Sequence, residues 1–176
     1  MVAIVQKKSA VLRKAAVEVP AREFGSRRLA KILADMSAAL AREPDGVALA
    51  APQIGKSLRI FIVSGKILKK KEGGPALPDL AFINPVLKRA SKEKKLLEEG
   101  CLSVRGRYGR ISRSIRATIG AYDANGRYFE RNGSGLMAQI FQHETDHLNG
   151  TLFIDHAKEV WDMKPATSAE KQPRHA

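Results

Sequence analysis

Apolar residues in the first third of the chain fall on a helical period. Leu29, Ile32, Leu33, Met36 and Leu40 stand at i, i+3, i+4, i+7 and i+11, which predicts an amphipathic helix from Ser26 to about Arg42. Ser26 suits its N-cap, and Glu43-Pro44-Asp45-Gly46 stops it, since a proline disfavours helix in the residue before it. Leu136, Ile140, His143 and His147 form a second helical face, predicting a helix from Gly135 to Leu148 with Ser134 as cap and Asn149-Gly150 as its end. Between the helices, Arg59–Val63, Ala81–Ile83, Val86–Leu87, Lys94–Leu97, Ile115–Tyr122 and Arg127–Glu130 read as strands. Asn84-Pro85 reads as a turn, Asp123–Gly126 as a hairpin turn, Asn132–Gly135 as the close of that hairpin, and Thr151–Asp155 as a further strand candidate. Strands and helices do not alternate regularly, so the pattern predicts an α+β fold rather than α/β.

Two segments lack a period. Gly46–Gly55 is built of small residues and a proline, which suits a place where backbone approaches another group closely. Lys66–Pro78, rich in Lys, Gly and Pro, reads as a surface loop. With 176 residues the chain fits one domain over residues 1–160, followed by a polar tail over 161–176 containing Pro165 and Pro173.

Composition narrows the function. The single cysteine excludes an internal disulfide, and neither a secretory leader nor an apolar run long enough to span a membrane is visible, so a cytoplasmic protein is expected. The formal charge is +13, and Lys66 to Arg116 alone carries 14 basic and 5 acidic residues. Such a surplus attracts polyanions without reading their sequence, and no zinc-finger, RNP-like or P-loop pattern supports sequence-specific recognition of nucleic acid.

His143-Glu144-Thr145-Asp146-His147 has the H-E-x-x-H form. The i, i+4 spacing sets both imidazoles on one side of a helix, where they can converge on a metal ion, and Glu144 stands beside the first as a candidate general acid/base. A catalytic site needs a third protein ligand and an open position. Downstream, the long metalloprotease pattern would require a histidine where Phe153 stands, and Glu170 lies in the polar tail. Upstream, Cys101 in Glu99-Gly100-Cys101-Leu102-Ser103 could complete a Cys-His-His site. His156 and His175 match no partner and read as surface residues. A structural site would need a fourth protein ligand, which disfavours a nucleic-acid-binding protein with a structural metal.

Gly46–Gly55, Glu99–Ser103 and Gln142–Gly150 together resemble the three signature motifs of the peptide deformylases, in matching order and spacing. The second and third match completely; in the first, Ala48 replaces the usual second glycine, and Arg105 stands where a proline is common after the second. An alanine at 48 could not serve a position needing positive φ. The resemblance, which runs from about Ile4 to Lys158, implies antiparallel sheets around a central metal-binding helix. It also implies removal of the formyl group from the N-terminal methionine of nascent chains, with release of formate. By motif match, Cys101, His143 and His147 would be the metal ligands. Glu144 would be the general acid/base for attack by a metal-bound water, with the Gln53 amide and the Leu102 N–H meeting the developing oxyanion. Fe(II) would be the native ion, with zinc, nickel or cobalt able to replace it. Val47, Ala48, Leu97, Gly100, Leu136 and Ile140 would line the peptide and methionine sites, with Glu99 as an anchor behind the metal, paired with Arg113. Formyl-Met nascent peptides would be the substrates, and the basic surplus would favour electrostatic contact with the ribosome.

Overall fold

The structure is a computed structural model that describes residues 2–68 and 77–162. Two helices, α1 (Arg27–Ala41) and α2 (Leu136–Leu148), pack on opposite faces of one antiparallel sheet. That sheet joins β1 (Ala48–Ala50), β2 (Ile60–Val63), β3 (Leu80–Ala90), β6 (Arg116–Tyr122) and β7 (Tyr128–Ser134), in the order β1-β2-β3-β6-β7. A second sheet contains β4 (Lys94–Gly100), β5 (Arg107–Ser114) and β8 (Glu159–Asp162), in the order β4-β5-β8. The α+β expectation holds.

The two-residue period of β2 explains the layering. Ile60 and Ile62 point to the α1 side, where they meet Leu29, Ile32, Met36 and Leu40. Phe61 and Val63 point to the α2 side, against Ala138, Ile140, Phe141 and Leu148. A strand buried on both faces reads as a continuous apolar run, as Ile60-Phe61-Ile62-Val63 does. Helix α2 therefore lies in the interior, with a stripe left to face the cleft between the sheets.

Helix α1 starts as its sequence predicts: the Ser26 hydroxyl accepts from the Leu29 N–H at 3.0 Å. Helix α2 does not. Ser134 ends β7, and Gly135, at φ 53° and ψ −128°, is the N-cap and makes no side-chain bond. Nor is Asn132–Gly135 a separate closing segment, because Asn132 and Gly133 pair with Thr118 and Ala117.

Asn84-Pro85 is not a turn. It is a bulge inside β3, with Ile83 opposite Tyr122 and Val86 opposite Gly120, so β3 carries one extra residue. Asn84 takes φ 48°, and its side-chain amide accepts from Val19 N–H at 2.8 Å and donates to Val19 C=O at 2.9 Å. Thr151–Asp155 is not a strand. A 3-10 turn over Phe153–Asp155 replaces it, held by the Asp155 N–H donating to the Leu152 C=O at 2.9 Å and by the Asp155 carboxylate accepting from the Leu152 N–H at 2.8 Å. Trp161 and Asp162 belong to β8; Glu170, His175 and the rest of the polar tail lie outside the described residues, as does most of the Lys66–Pro78 segment.

Candidate metal centre

Strand β4 ends at Gly100, and the chain turns sharply there: the Val104 N–H donates to the Cys101 C=O at 2.9 Å. This turn delivers the Cys101 thiol to the inward stripe of α2. Cys101 Sγ lies 3.2 Å from His147 Nε2, and ligand atoms of Cys101, His143 and His147 all lie within 4.8 Å of one another. A four-coordinate ion with bonds of about 2.0–2.3 Å needs ligand separations of about 3.3–3.8 Å, so the trio has the donor chemistry and nearly the spacing of a three-ligand site. A buried unpartnered atom points the same way. Among the described residues, Glu144 Oε2 is enclosed beside the trio without a hydrogen bond, a cost that proteins seldom carry without a role; His147 Nδ1 is also unpartnered, while its Nε2 is the ring atom that faces the thiol.

Electrostatics fit a thiolate ligand. Burial pushes the Cys101 thiol up, but the charges and hydrogen bonds of His147 and His143 outweigh it and bring the pKa down to about 5. Glu144 behaves oppositely: burial raises its carboxyl above the ordinary range despite the opposing pull of His143 and His147. A carboxyl raised in this way holds a proton more readily than an ordinary one and can still give it back.

Behind the trio stands a buried ion-pair network. His143 Nδ1 lies 2.9 Å from Glu99 Oε2, which fixes the ring and turns Nε2 toward the thiol. Arg113, inward-facing on β5, grips Glu99 with two bonds of 2.7 and 2.9 Å and donates to Asp146 on α2 at 2.7 Å. The Glu99 carboxyl, raised by burial but lowered more by His143 and Arg113, is held at about 2. Asp146 and Gln139, whose amide reaches Glu99 at 3.3 Å, were not singled out from the sequence. Asp146 lies within the H-E-x-x-H segment itself, one turn after His143, and that spacing was the available signal.

Gln53, in a 3-10 turn over Ala51–Ile54, is oriented by its own backbone. Its Oε1 accepts from the Ala50 N–H at 2.8 Å, so Nε2 faces Ser103 Oγ at 3.2 Å and Cys101 Sγ at 3.6 Å. The Leu102 C=O accepts from Gln6 at 3.1 Å. Ala48 sits in β1 opposite Val63 without positive φ, so its methyl is accommodated.

Cys101 and His143 open into a cleft of about 410 Å³, while His147 is buried behind them. One wall is residues 43–48, the other residues 98–108 apart from Ser103, and α2 supplies Leu136, Gln139, Ile140, His143 and Glu144. Val47, Ala48, Gly100, Leu136 and Ile140 line it as expected; Ile140 is buried, whereas Leu136 is 51% exposed at the rim. Leu97 does not line the cleft: it sits within β4, opposite Ile111. Tyr108 was missed, and its ring packs where a side chain at Gly100 would stand. Phe153, at the position where a metalloprotease would place a ligand, is buried with its ring 6.5 Å from that of His143. His156 is exposed.

The family model described as Polypeptide deformylase matches residues 1–162. The chain belongs to this family. It is 38% identical over 165 residues to "Peptide deformylase" of Thermomicrobium roseum, covering 94% of this chain and 90% of that one. It is 40% identical over 163 residues to "Peptide deformylase 1A, chloroplastic/mitochondrial" of Arabidopsis thaliana, covering 86% of this chain but 60% of the longer relative. A Met-Ala-Ser-bound class I type b peptide deformylase from Acinetobacter baumannii superposes with TM-score 0.78 at 32% identity, over 89% of this chain and 99% of that one. Among the described residues, no helix is long and apolar enough to cross a membrane.

Proposed function

We propose that this chain carries out the family's reaction at the Cys101, His143 and His147 centre, hydrolysing the formyl amide of formyl-methionyl peptides to formate and a free N-terminus. The observation that carries the reading is the buried, unpartnered Glu144 carboxylate beside that trio, at the floor of an open cleft. Cys101, His143 and His147 would hold a divalent ion, which would supply Lewis acidity at the formyl group and lower the pKa of the attacking water.

The chain's own groups do the rest. Glu144 takes a proton from the water as the new C–O bond forms, and returns it to the amine nitrogen as the C–N bond breaks. The Gln53 Nε2, aimed by the Ala50 N–H bond, and the Leu102 N–H donate to the oxygen on which negative charge develops. Glu99 and Arg113 hold His143 in place. Val47, Ala48, Gly100, Leu136 and Ile140 receive the methionine and the backbone that follows it.

Fe(II) is the proposed resident ion, on the strength of the motif resemblance; the donor set alone also accepts zinc, nickel or cobalt. The proposed compartment is the cytoplasm, where the lone thiol stays reduced. The substrates are proposed to be nascent chains, met through electrostatic contact with the ribosome.

Formate release from a formyl-Met peptide tests the reading. Iron-loaded protein, prepared anaerobically, should turn over faster than the zinc-loaded form, and Glu144→Ala and Cys101→Ser should each lose at least about a hundredfold in kcat/KM. Full activity in both variants would remove the centre from the reaction. Equal rates with the two metals would remove iron as the working ion. Cleavage of internal peptide bonds without formate release would establish a peptidase instead.

A further inference from the structure

The mouth of the cleft is spanned by an ion pair. Arg105, on the wall that follows Cys101, donates through Nη2 to Glu43 Oε1 at 2.7 Å, and Glu43 belongs to the opposite wall, 62 residues earlier. The two partners are unequally buried: the Glu43 side chain is 16% exposed and that of Arg105 is 58% exposed. Glu43 is therefore the anchor, and the guanidinium is the face that a ligand meets first. Two residues on, Arg107 lines the same wall and is tethered through Nε to Asp162 Oδ1 at 2.9 Å. Each guanidinium has five N–H donors, and each spends one on its tether, which leaves planar, fork-shaped donor edges at the cleft mouth.

A peptide whose N-terminus lies at Cys101 and Glu144 must leave through this mouth. We infer that Arg105, held by Glu43 and assisted by Arg107, is a specificity determinant that favours a carboxylate side chain in one of the two residues following the methionine. The inference rests on the deformylase reading for the direction in which the peptide lies. A guanidinium edge matches a carboxylate with two parallel hydrogen bonds and repels an ammonium. Anchoring matters as well, because an arginine already fixed on Glu43 loses less freedom when it takes up a ligand.

The test is a set of formyl-Met tetrapeptides carrying Glu, Gln or Lys at the second or third residue, with formate release measured at low and at about 0.5 M salt. Partly exposed charge pairs are modest, so the expected preference for Glu over Lys is about fivefold in kcat/KM at low salt and shrinks at high salt. Arg105→Ala should bring the ratio to within about twofold of one, and Arg105→Glu should invert it. Glu43→Gln, which frees the guanidinium from its anchor, should keep the sign of the preference. A wild-type ratio near one at both positions, or a ratio that Arg105→Ala leaves unchanged, overturns the inference. Calorimetric binding of the unformylated peptides, Glu against Lys, reads the same preference without turnover. Absence of formate release together with charge-selective binding would count against the reaction and not against Arg105.

Discussion

Among the described residues, Arg113 is one of three charged side chains at the centre with under a tenth of their surface exposed, and it holds two carboxylates at once, Glu99 on β4 and Asp146 on α2. Desolvating these charges costs several kcal/mol, and the bidentate geometry with Glu99 is what offsets it. Replacing Arg113 with Met leaves a buried carboxylate without its cation and should cost about 3–5 kcal/mol of unfolding free energy. The pH dependence follows from Glu99. Its carboxyl is held at about 2, below the ordinary 4.5, so the folded state binds fewer protons than the unfolded one. The stabilisation is complete above the ordinary value and disappears as pH falls through about 2. Without Arg113 the Glu99 carboxyl rises, and acid unfolding should begin at higher pH. Urea unfolding of metal-free protein at about pH 7, 5 and 3 measures both effects; an Arg113→Met variant within about 1 kcal/mol of wild type at neutral pH would show that the network is not needed for the fold.

At the bulge in β3, where a proline follows a positive φ, the Asn84 side chain ties the strand to the segment before α1. That side chain satisfies both polar groups of the buried Val19 backbone, in a conformation that a residue with a Cβ rarely takes. Asn84→Ala should therefore cost about 2–3 kcal/mol, and Asn84→Gly less, since glycine relieves φ while losing the same two bonds. Denaturant midpoints that leave the alanine variant within about 0.5 kcal/mol of wild type would refute that account. The same bulge shows why some elements were legible in the sequence and others were not. Helices α1 and α2 show as apolar stripes because each presents one face to the sheet. Strand β5 was hidden because its inward positions include Arg113 and Gly109, so a buried ion pair and a close approach to β8 replace the apolar alternation. Strand β8 is exposed throughout and has no apolar face to read. At the centre, His143, Glu144 and His147 were legible because a helix makes the site local, and Cys101 and Gln53 through motifs that match a family. Glu43 opposite Arg105 is a pairing across the cleft for which neither periodicity nor motif gives a signal.

The charge of the whole molecule has a direction as well as a size. Lys88, Arg89, Lys92, Lys94 and Lys95 are all basic positions around the turn from β3 to β4, where only Glu93 opposes them. This turn joins the two sheets and contributes nothing to the cleft lining, so a polyanion bound there would leave the cleft open to a peptide. Ribosomal RNA is the polyanion that an enzyme acting on nascent chains would meet, and binding to phosphates releases counterions whatever the base sequence. The protein should therefore sediment with ribosomes at low salt and be released as salt rises. Charge reversal at Lys92, Lys94 and Lys95 should weaken that binding while formate release from a free short peptide continues, because none of the three lines the cleft. For every lysine that no longer neutralises a phosphate, the dependence of log affinity on log salt should flatten by somewhat under one unit. Sedimentation that ignores salt would mean an apolar interface, and no sedimentation at all would mean that the basic turn serves solubility alone. Either result would separate the charge from the chemistry, leaving nascent chains to reach Glu144 by diffusion.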